Sequence, residues 1–228
     1  MKRSAFILAI VAVVATMTFM LPTSANGKLD EVLANMERAA RSIKTIEADM
    51  NQEKRNLQIG GPPERYAGKI YFEHGKACDK VRIEYSVPQG QFVTVLCDKI
   101  YLFQARINQC IVTTRQAQAS KNQEFSFIAT PYKSVPELKR QYNIAYGGDE
   151  QVGASSTAKL ELTPKGKSSV KKLTLWVDQS SWLPIKYQVV ETNNNPTTFT
   201  LSGIIKNGKL SGDKFKGGCP AGSKVVPQ

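Results

Sequence analysis

The chain has one histidine, two tryptophans and four cysteines, with no Cys-x-x-Cys pair, in 228 residues. With His74 alone, a Ser/His/Asp nucleophile or a histidine-based metal site has almost nothing to build on, and the lack of paired cysteines argues against structural zinc. A glycine-rich phosphate loop is missing, and no Asp or Glu stands in a setting that marks a catalytic carboxylate. The reading is therefore of a protein that is not an enzyme and needs no cofactor. His74 falls in a hairpin turn and reads as solvent-exposed.

Charge is missing from Ala5 to Leu21, which follows a short basic start at Lys2 and Arg3 and precedes the small residues Thr23, Ser24 and Ala25. This is the pattern of an export signal cut after Ala25, giving a leader over 1–25 and a mature domain over 26–228. An uncleaved anchor is the alternative, and Pro22 with the small residues behind it favours cleavage. The first cysteine is Cys78, so a lipid anchor on the mature N-terminus is not expected.

Of the 31 Lys and Arg residues two fall in the leader, leaving 29 against 19 Asp and Glu, a net charge of +10. Such a balance suits an anionic membrane surface or an acidic partner. The basic residues are spread along many strands, which argues against nucleic acid. Four cysteines in an exported chain make one or two disulfides reasonable. The expected turns put Cys78, Cys97 and Cys110 near one rim of a sheet, so a pair among them is reasonable, while Cys219 has no obvious place.

What the sequence does have is alternation. From Tyr66 to Phe103, short apolar/polar runs are punctuated at 74–76, 88–90, 97–99 and 104–106, the signature of an antiparallel meander. Tyr66, Gly68, Ile70 and Phe72 share one face, with Lys69, Tyr71 and Glu73 towards water; Val81, Ile83, Tyr85 and Val87 alternate with Lys80, Arg82 and Glu84. Before the meander, Leu29, Val32, Leu33, Met36, Ala40 and Ile43 recur at helical spacing, giving an amphipathic helix that starts at Asn26 or Gly27. A first strand follows over 46–59, ended by Gly60-Gly61-Pro62-Pro63.

After the strand at 110–113 the pattern breaks. The stretch 114–146 carries an apolar knot at Phe125, Phe127 and Ile128, then Ser134, Pro136 and Glu137, a capped helix start with Leu138 and Tyr142 on its apolar side. Strands return at 159–162, 172–177, 183–190 and 197–201, and the tail from Lys206 reads as loop anchored by Phe215. Aromatic residues Phe72, Tyr85, Phe92 and Phe103 are expected on the inner face. Period-two alternation cannot distinguish a filled interior from a hollow one, and on pattern alone a filled core is favoured.

The order of these elements resembles the periplasmic outer-membrane lipoprotein carrier family LolA. The residues that carry the likeness are Gly68-Lys-Ile-Tyr-Phe72, Val81-Arg-Ile-Glu-Tyr85 leading to Pro88, Val95-Leu-Cys-Asp98 leading to Tyr101, Leu160-Glu-Leu-Thr-Pro164, and the closing stretch Phe215 to Gly222. Three departures mark a divergent member: His74-Gly75 where the family often has an Arg-Pro that holds the lid, Lys99 for the hairpin glycine after Asp98, and Gly217 for the second phenylalanine of the closing motif.

The resemblance implies a mainly β (α+β) fold, a single curved antiparallel sheet forming an incomplete, half-open β-barrel with the N-terminal helix and a mid-chain helical insertion as lid. It implies a monomeric periplasmic carrier that shields the acyl chains of lipoproteins, taking them from an inner-membrane ABC transporter to an outer-membrane receptor. The cavity wall would be Ile70, Phe72, Val81, Ile83, Tyr85, Phe92 and Phe103, with Val81 near the mouth where it meets the transporter. Leu29, Leu33, Met36, Phe127, Leu138 and Tyr142 would form the lid. The rival readings are a carrier or sensor of another lipid or glycolipid, a solid-cored envelope interaction module, and a hydrolase.

Overall fold

The computed structural model describes residues 25–117 and 134–227. The leader and the apolar knot containing Phe127 lie outside the described residues. Helix α1 (Ala25–Ser42) is followed by strands β1 (Thr45–Lys54), β2 (Glu64–Glu73), β3 (Lys80–Val87), β4 (Phe92–Leu96), β5 (Lys99–Gln104) and β6 (Gln109–Thr114). Then come helix α2 (Val135–Gln141) and strands β7 (Tyr142–Val152), β8 (Ser155–Pro164), β9 (Val170–Asp178), β10 (Pro184–Glu191), β11 (Pro196–Lys206) and β12 (Lys224–Pro227).

The strands form one sheet in the order β12-β6-β5-β4-β3-β2-β1-β11-β10-β9-β8-β7. The chain meanders outward from β1 to β6, crosses to the far edge at β7, and meanders back until β11 pairs with β1. Because β12 and β7 remain edges, the sheet is an incomplete barrel. Eleven strands pair antiparallel; the exception is β12, which runs parallel to β6, so the sheet is mixed.

Register decides which residues face inward, since directly opposed residues project from the same side. Ile46 opposes Phe72, Ala48 opposes Ile70, Ile70 opposes Ile83, and Ile83 opposes Val93, a row buried to 4 % exposure or less. The same concave face continues through Met50 and Leu201 to Leu175 and Leu160. At Gly68 the ladder slips by one residue, and a Cβ there would collide with the Glu84 carbonyl oxygen, so only glycine lets β2 bend this closely over β3.

Helix α1 lays its apolar stripe on that face: Val32, Leu33 and Met36 are buried, Leu29 packs against the same cluster, and Ile43, just past the helix end, is buried with them. Its polar side carries ion pairs at helical spacing, Lys28 to Glu31 at 3.3 Å and Arg41 to Glu37 at 3.1 Å. Helix α2 begins as its capping residues require, with the Ser134 hydroxyl accepting from the Glu137 amide at 3.4 Å. Its apolar side, Val135 and Leu138, joins the core cluster.

The first strand is shorter than the alternation implies. It ends at Lys54, and the following turn is built around Asn56, whose side-chain oxygen accepts from the amides of Gln58 (3.1 Å) and Ile59 (3.2 Å). Tyr71, expected to face water, is buried, because the tail folds back over the outer face of β2 and β3. There the Lys214 ammonium donates to the Tyr71 hydroxyl (3.1 Å) and to Glu84 (2.9 Å), and lies 4.2 Å from the Tyr71 ring centre. The tail is therefore a strap, anchored by buried Phe215 and ended by β12.

Two disulfides fix these parts. Cys78 and Cys97 join the β2–β3 and β4–β5 turns at one rim. Cys110, expected at that same rim, lies instead near the opposite end of β5, opposed to Phe103, and binds Cys219 of the strap.

Candidate functional site

The residues brought together by the concave face are apolar almost throughout. Ile70, Phe72, Val81 and Ile83 lie on this face at 2 %, 4 %, 0 % and 0 % exposure, in one buried cluster with Val32, Leu33 and Met36 of α1. Tyr85 stands at the edge of the same face, partly buried, with its ring edge-on to Tyr66 at 6.1 Å between centres. Of the expected lid, Leu33, Met36, Leu138 and Tyr142 are buried in the common cluster and Leu29 is partly buried against it.

Phe92 and Phe103 belong elsewhere. Phe92 opposes Glu84, whose neighbours Ile83 and Tyr85 point inward, so Phe92 projects from the outer face with Phe103 opposite it. The two rings lie 5.3 Å apart, and the Arg82 guanidinium sits 3.9 Å from the Phe92 ring centre. This is a cation–π and aromatic cluster on the convex side, structural in character. The inward residues of these strands are Val93, Val95, Ile100 and Leu102.

The far half of the concave face was not singled out from sequence except for Tyr142, expected on the lid helix beside Leu138 but opening β7 instead. Strand β7 presents Tyr142, Ile144 and Tyr146 inward, opposed to Pro164, Leu162 and Leu160. The Tyr146 hydroxyl donates to Asp149 at 2.8 Å, and burial together with that carboxylate pushes the phenol up to about 12. Burial likewise raises Tyr142, with Glu137 adding to it. Both phenols are neutral at physiological pH, which keeps this stretch of wall uncharged.

Among the described residues, polar joints tie the helices down at two places. Glu37 of α1 accepts from the Val135 backbone amide of α2 at 2.9 Å, tying the helices together. At the other joint, Asn207 grips the link between α1 and β1: its side chain accepts from the Lys44 amide (2.7 Å) and donates to the Ser42 carbonyl (3.0 Å). The first hairpin takes no such role through His74, whose ring nitrogen meets Asp79 of its own loop at 2.6 Å.

Near the end of β11 that leads to Asn207, a cleft of about 470 Å³ opens between the β7–β8 and β9–β10 turns and β11. Val152, Ala154, Ile185, Leu201 and Ile204 give it apolar walls, and Asp178 and Ser181 a polar side. Asp178 is satisfied by Ser180 (2.6 Å) and by the Ser181 hydroxyl (2.6 Å) and amide (2.8 Å). Burial would raise its carboxyl, and these donors outweigh that to hold it low. Leu201, which lines the cleft, also belongs to the core cluster.

An open sheet with helices laid on its apolar inner face is the build of a binding or carrier protein. The sequence matches the family described as "Outer membrane lipoprotein carrier protein LolA" over residues 41–217, more than half of the chain, and it belongs to that family. No curated protein matches it.

Among solved structures the fold is similar to an uncharacterized conserved protein from Thermus thermophilus, at 11% identity and TM-score 0.57, covering 88% of this chain and 99% of that one. It is similar to the Pseudomonas aeruginosa MucA/MucB complex structure at 12% identity and TM-score 0.52, covering 84% and 61%. A DUF1329 family protein from Desulfovibrio piger matches at 13% identity and TM-score 0.50, covering 82% and 95%. These likenesses speak to the fold. The family and the two disulfides fit an exported, envelope protein.

Proposed function

We propose that this protein is a periplasmic carrier that shelters the acyl chains of lipoproteins between α1, α2 and the concave sheet, receiving them at the inner membrane and releasing them at the outer. The observation that supports this reading is the apolar stripe of α1, Leu33 and Met36 above all, buried in one cluster with Ile70, Phe72 and Ile83 of the sheet. An acyl chain offers the wall the same chemistry that α1 offers, so exchanging one for the other costs little. Each CH₂ sheltered from water contributes about 0.8 kcal/mol, and a multiply acylated protein therefore gains on the order of tens of kcal/mol from a closed compartment.

Reversibility follows from the same matching. The lid is held by side-chain burial worth about 1.5–3 kcal/mol for each large apolar residue and by two polar joints, far less than holds the twelve-stranded sheet. The cleft bounded by Leu201 and Ile204 is our proposed way in for the first chain, its volume within the roughly 300–1,000 Å³ of ligand sites. Val81, fully buried in the cluster that both helices join, would be reached by a transporter only after that cluster opens.

The deciding experiment is release of a newly made lipoprotein from spheroplasts with and without the purified protein, followed by mass spectrometry of organic extracts. Release as a soluble complex supports the reading. Glycolipid or free fatty acid in the extract, with no lipoprotein released, points to a carrier of another lipid.

A further inference from the structure

Four of the large apolar side chains most exposed among the described residues gather on loops along the edge of the sheet formed by its strand ends. Leu57 and Ile59, at 60% and 84% exposure, stand in the β1–β2 loop; Val87, at 52%, ends β3; Ile107, at 58%, sits in the β5–β6 turn. These segments are neighbours: Gly90 of the β3–β4 turn has Ala105 beside it, where an added Cβ would lie 3.0 Å away, and β2 and β3 carry the other two loops side by side. The β10–β11 loop joins them, with Asn195 accepting from the Leu57 amide at 2.9 Å.

The exposure of Leu57 and Ile59 is built in. Asn56 caps the turn, the Gly60 amide donates to the Asn56 carbonyl at 3.0 Å, and Gly60 and Gly61 take positive φ ahead of Pro62 and Pro63. A loop given this much local hydrogen bonding to hold two aliphatic side chains in water has them there for a partner. The surrounding charge names its sign. Lys54, Arg55, Arg65, Arg106, Lys171 and Lys224 flank these loops, against Glu53, Glu64 and Glu191, and Glu53 already meets Arg55 (2.7 Å) and Arg65 (3.7 Å). Lys224 is brought there by its amide bond to the Asn108 carbonyl (2.8 Å), and Lys171 by its bond to Asn194 (2.8 Å).

We propose that this edge is a docking surface for an anionic lipid bilayer, with the Leu57, Ile59 and Ile107 side chains entering the headgroup boundary and the arginines and lysines meeting lipid phosphates. Aliphatic tips ringed by cations are what such a surface requires. The inference does not rest on the carrier reading, since a protein that bound no acyl chain in its interior would still dock this way.

Co-sedimentation with vesicles tests it, using phosphatidylglycerol mixed into phosphatidylcholine against phosphatidylcholine alone. The protein is expected to sediment with the anionic vesicles, less so as salt rises. The double variant Leu57→Ser/Ile59→Ser should bind at least about tenfold more weakly. Ile205→Ser, an exposed residue at the opposite end of β1 and β11, should bind as the parent does. A blue shift of added fluorescence in Ile59→Trp on vesicle addition gives the same answer without removing apolar surface. Absence of binding to anionic vesicles, binding unchanged in the double variant, or an equal loss in Ile205→Ser would overturn the proposal. So would capture of a protein partner by this edge without any vesicle binding.

Discussion

Glu37 of α1 receives a hydrogen bond from the backbone amide of Val135, the first residue of α2, at 2.9 Å. The two helices on the concave face are thereby one unit, although 98 residues separate the partners. Removing this carboxylate should release α2 from α1 without touching the sheet. Glu37→Ala is expected to cost about 1 kcal/mol, as for a hydrogen bond to a charged group partly open to water. Hydrogen exchange should quicken across 135–141 and leave β8–β10 unchanged. Uniform quickening through the sheet would show that Glu37 supports the whole fold.

A second prediction separates the two faces. Ile83→Ala removes buried wall and should lower both stability, by about 2–5 kcal/mol, and affinity for a fluorescent acyl chain. Phe92→Ala loosens the outer cluster with Arg82 and Phe103 and should leave acyl-chain affinity unchanged. Loss of binding in Phe92→Ala would reverse the assignment of faces.

That assignment marks how far the sequence reaches. Within β2 and β3 the alternation of Ile70, Phe72, Val81 and Ile83 can be read directly, because each run is long enough to set its own phase. Phase is lost at the turn 88–91, and nothing local says whether Phe92 or Val93 resumes the inner face; only pairing with Glu84 and Ile83 decides it. Tyr71 alternates as a solvent residue and is buried by a strap about 140 positions away, a contact no local pattern carries. Strand β7 hides because its inward Tyr142, Ile144 and Tyr146 follow α2 with no break and end at Gly147-Gly148, where the register shifts. Four-residue β12 is too short and too exposed to show a period.

The strap gives a third prediction. Cys110–Cys219 closes 109 residues and Cys78–Cys97 closes 19, so chain entropy makes the first the stronger staple, at about 4–5 against about 3 kcal/mol. Thermal unfolding of Cys110→Ala/Cys219→Ala and of Cys78→Ala/Cys97→Ala should rank them in that order. The former should also expose 209–227 to limited proteolysis; a protected tail would mean that Phe215 and Lys214 suffice.

A fourth concerns pH. Burial would raise the Glu84 carboxyl, but hydrogen bonds and charge from Lys214 and Arg82 outweigh it and hold the group below its ordinary 4.5, while Glu84 chiefly raises the Lys214 ammonium above its ordinary 10.5. A lowered carboxyl stabilises the fold fully above 4.5 and loses that contribution as pH falls through the folded value; a raised ammonium stabilises fully below 10.5 and loses it as pH rises through its own. The strap should therefore loosen at both extremes. In Glu84→Gln the acid limb of a denaturation series should flatten, and an unchanged limb would remove Glu84 from the account.

The central claim is that the helices yield the concave wall to acyl chains, and hydrogen exchange with and without a triacylated lipopeptide measures it most directly. Binding is expected to deprotect amides of 25–42 and 135–141 together while those of β1 to β4 hold or gain protection. Saturating lipopeptide that leaves both helices as protected as before, or that alters only the strap and the outer face, would contradict it.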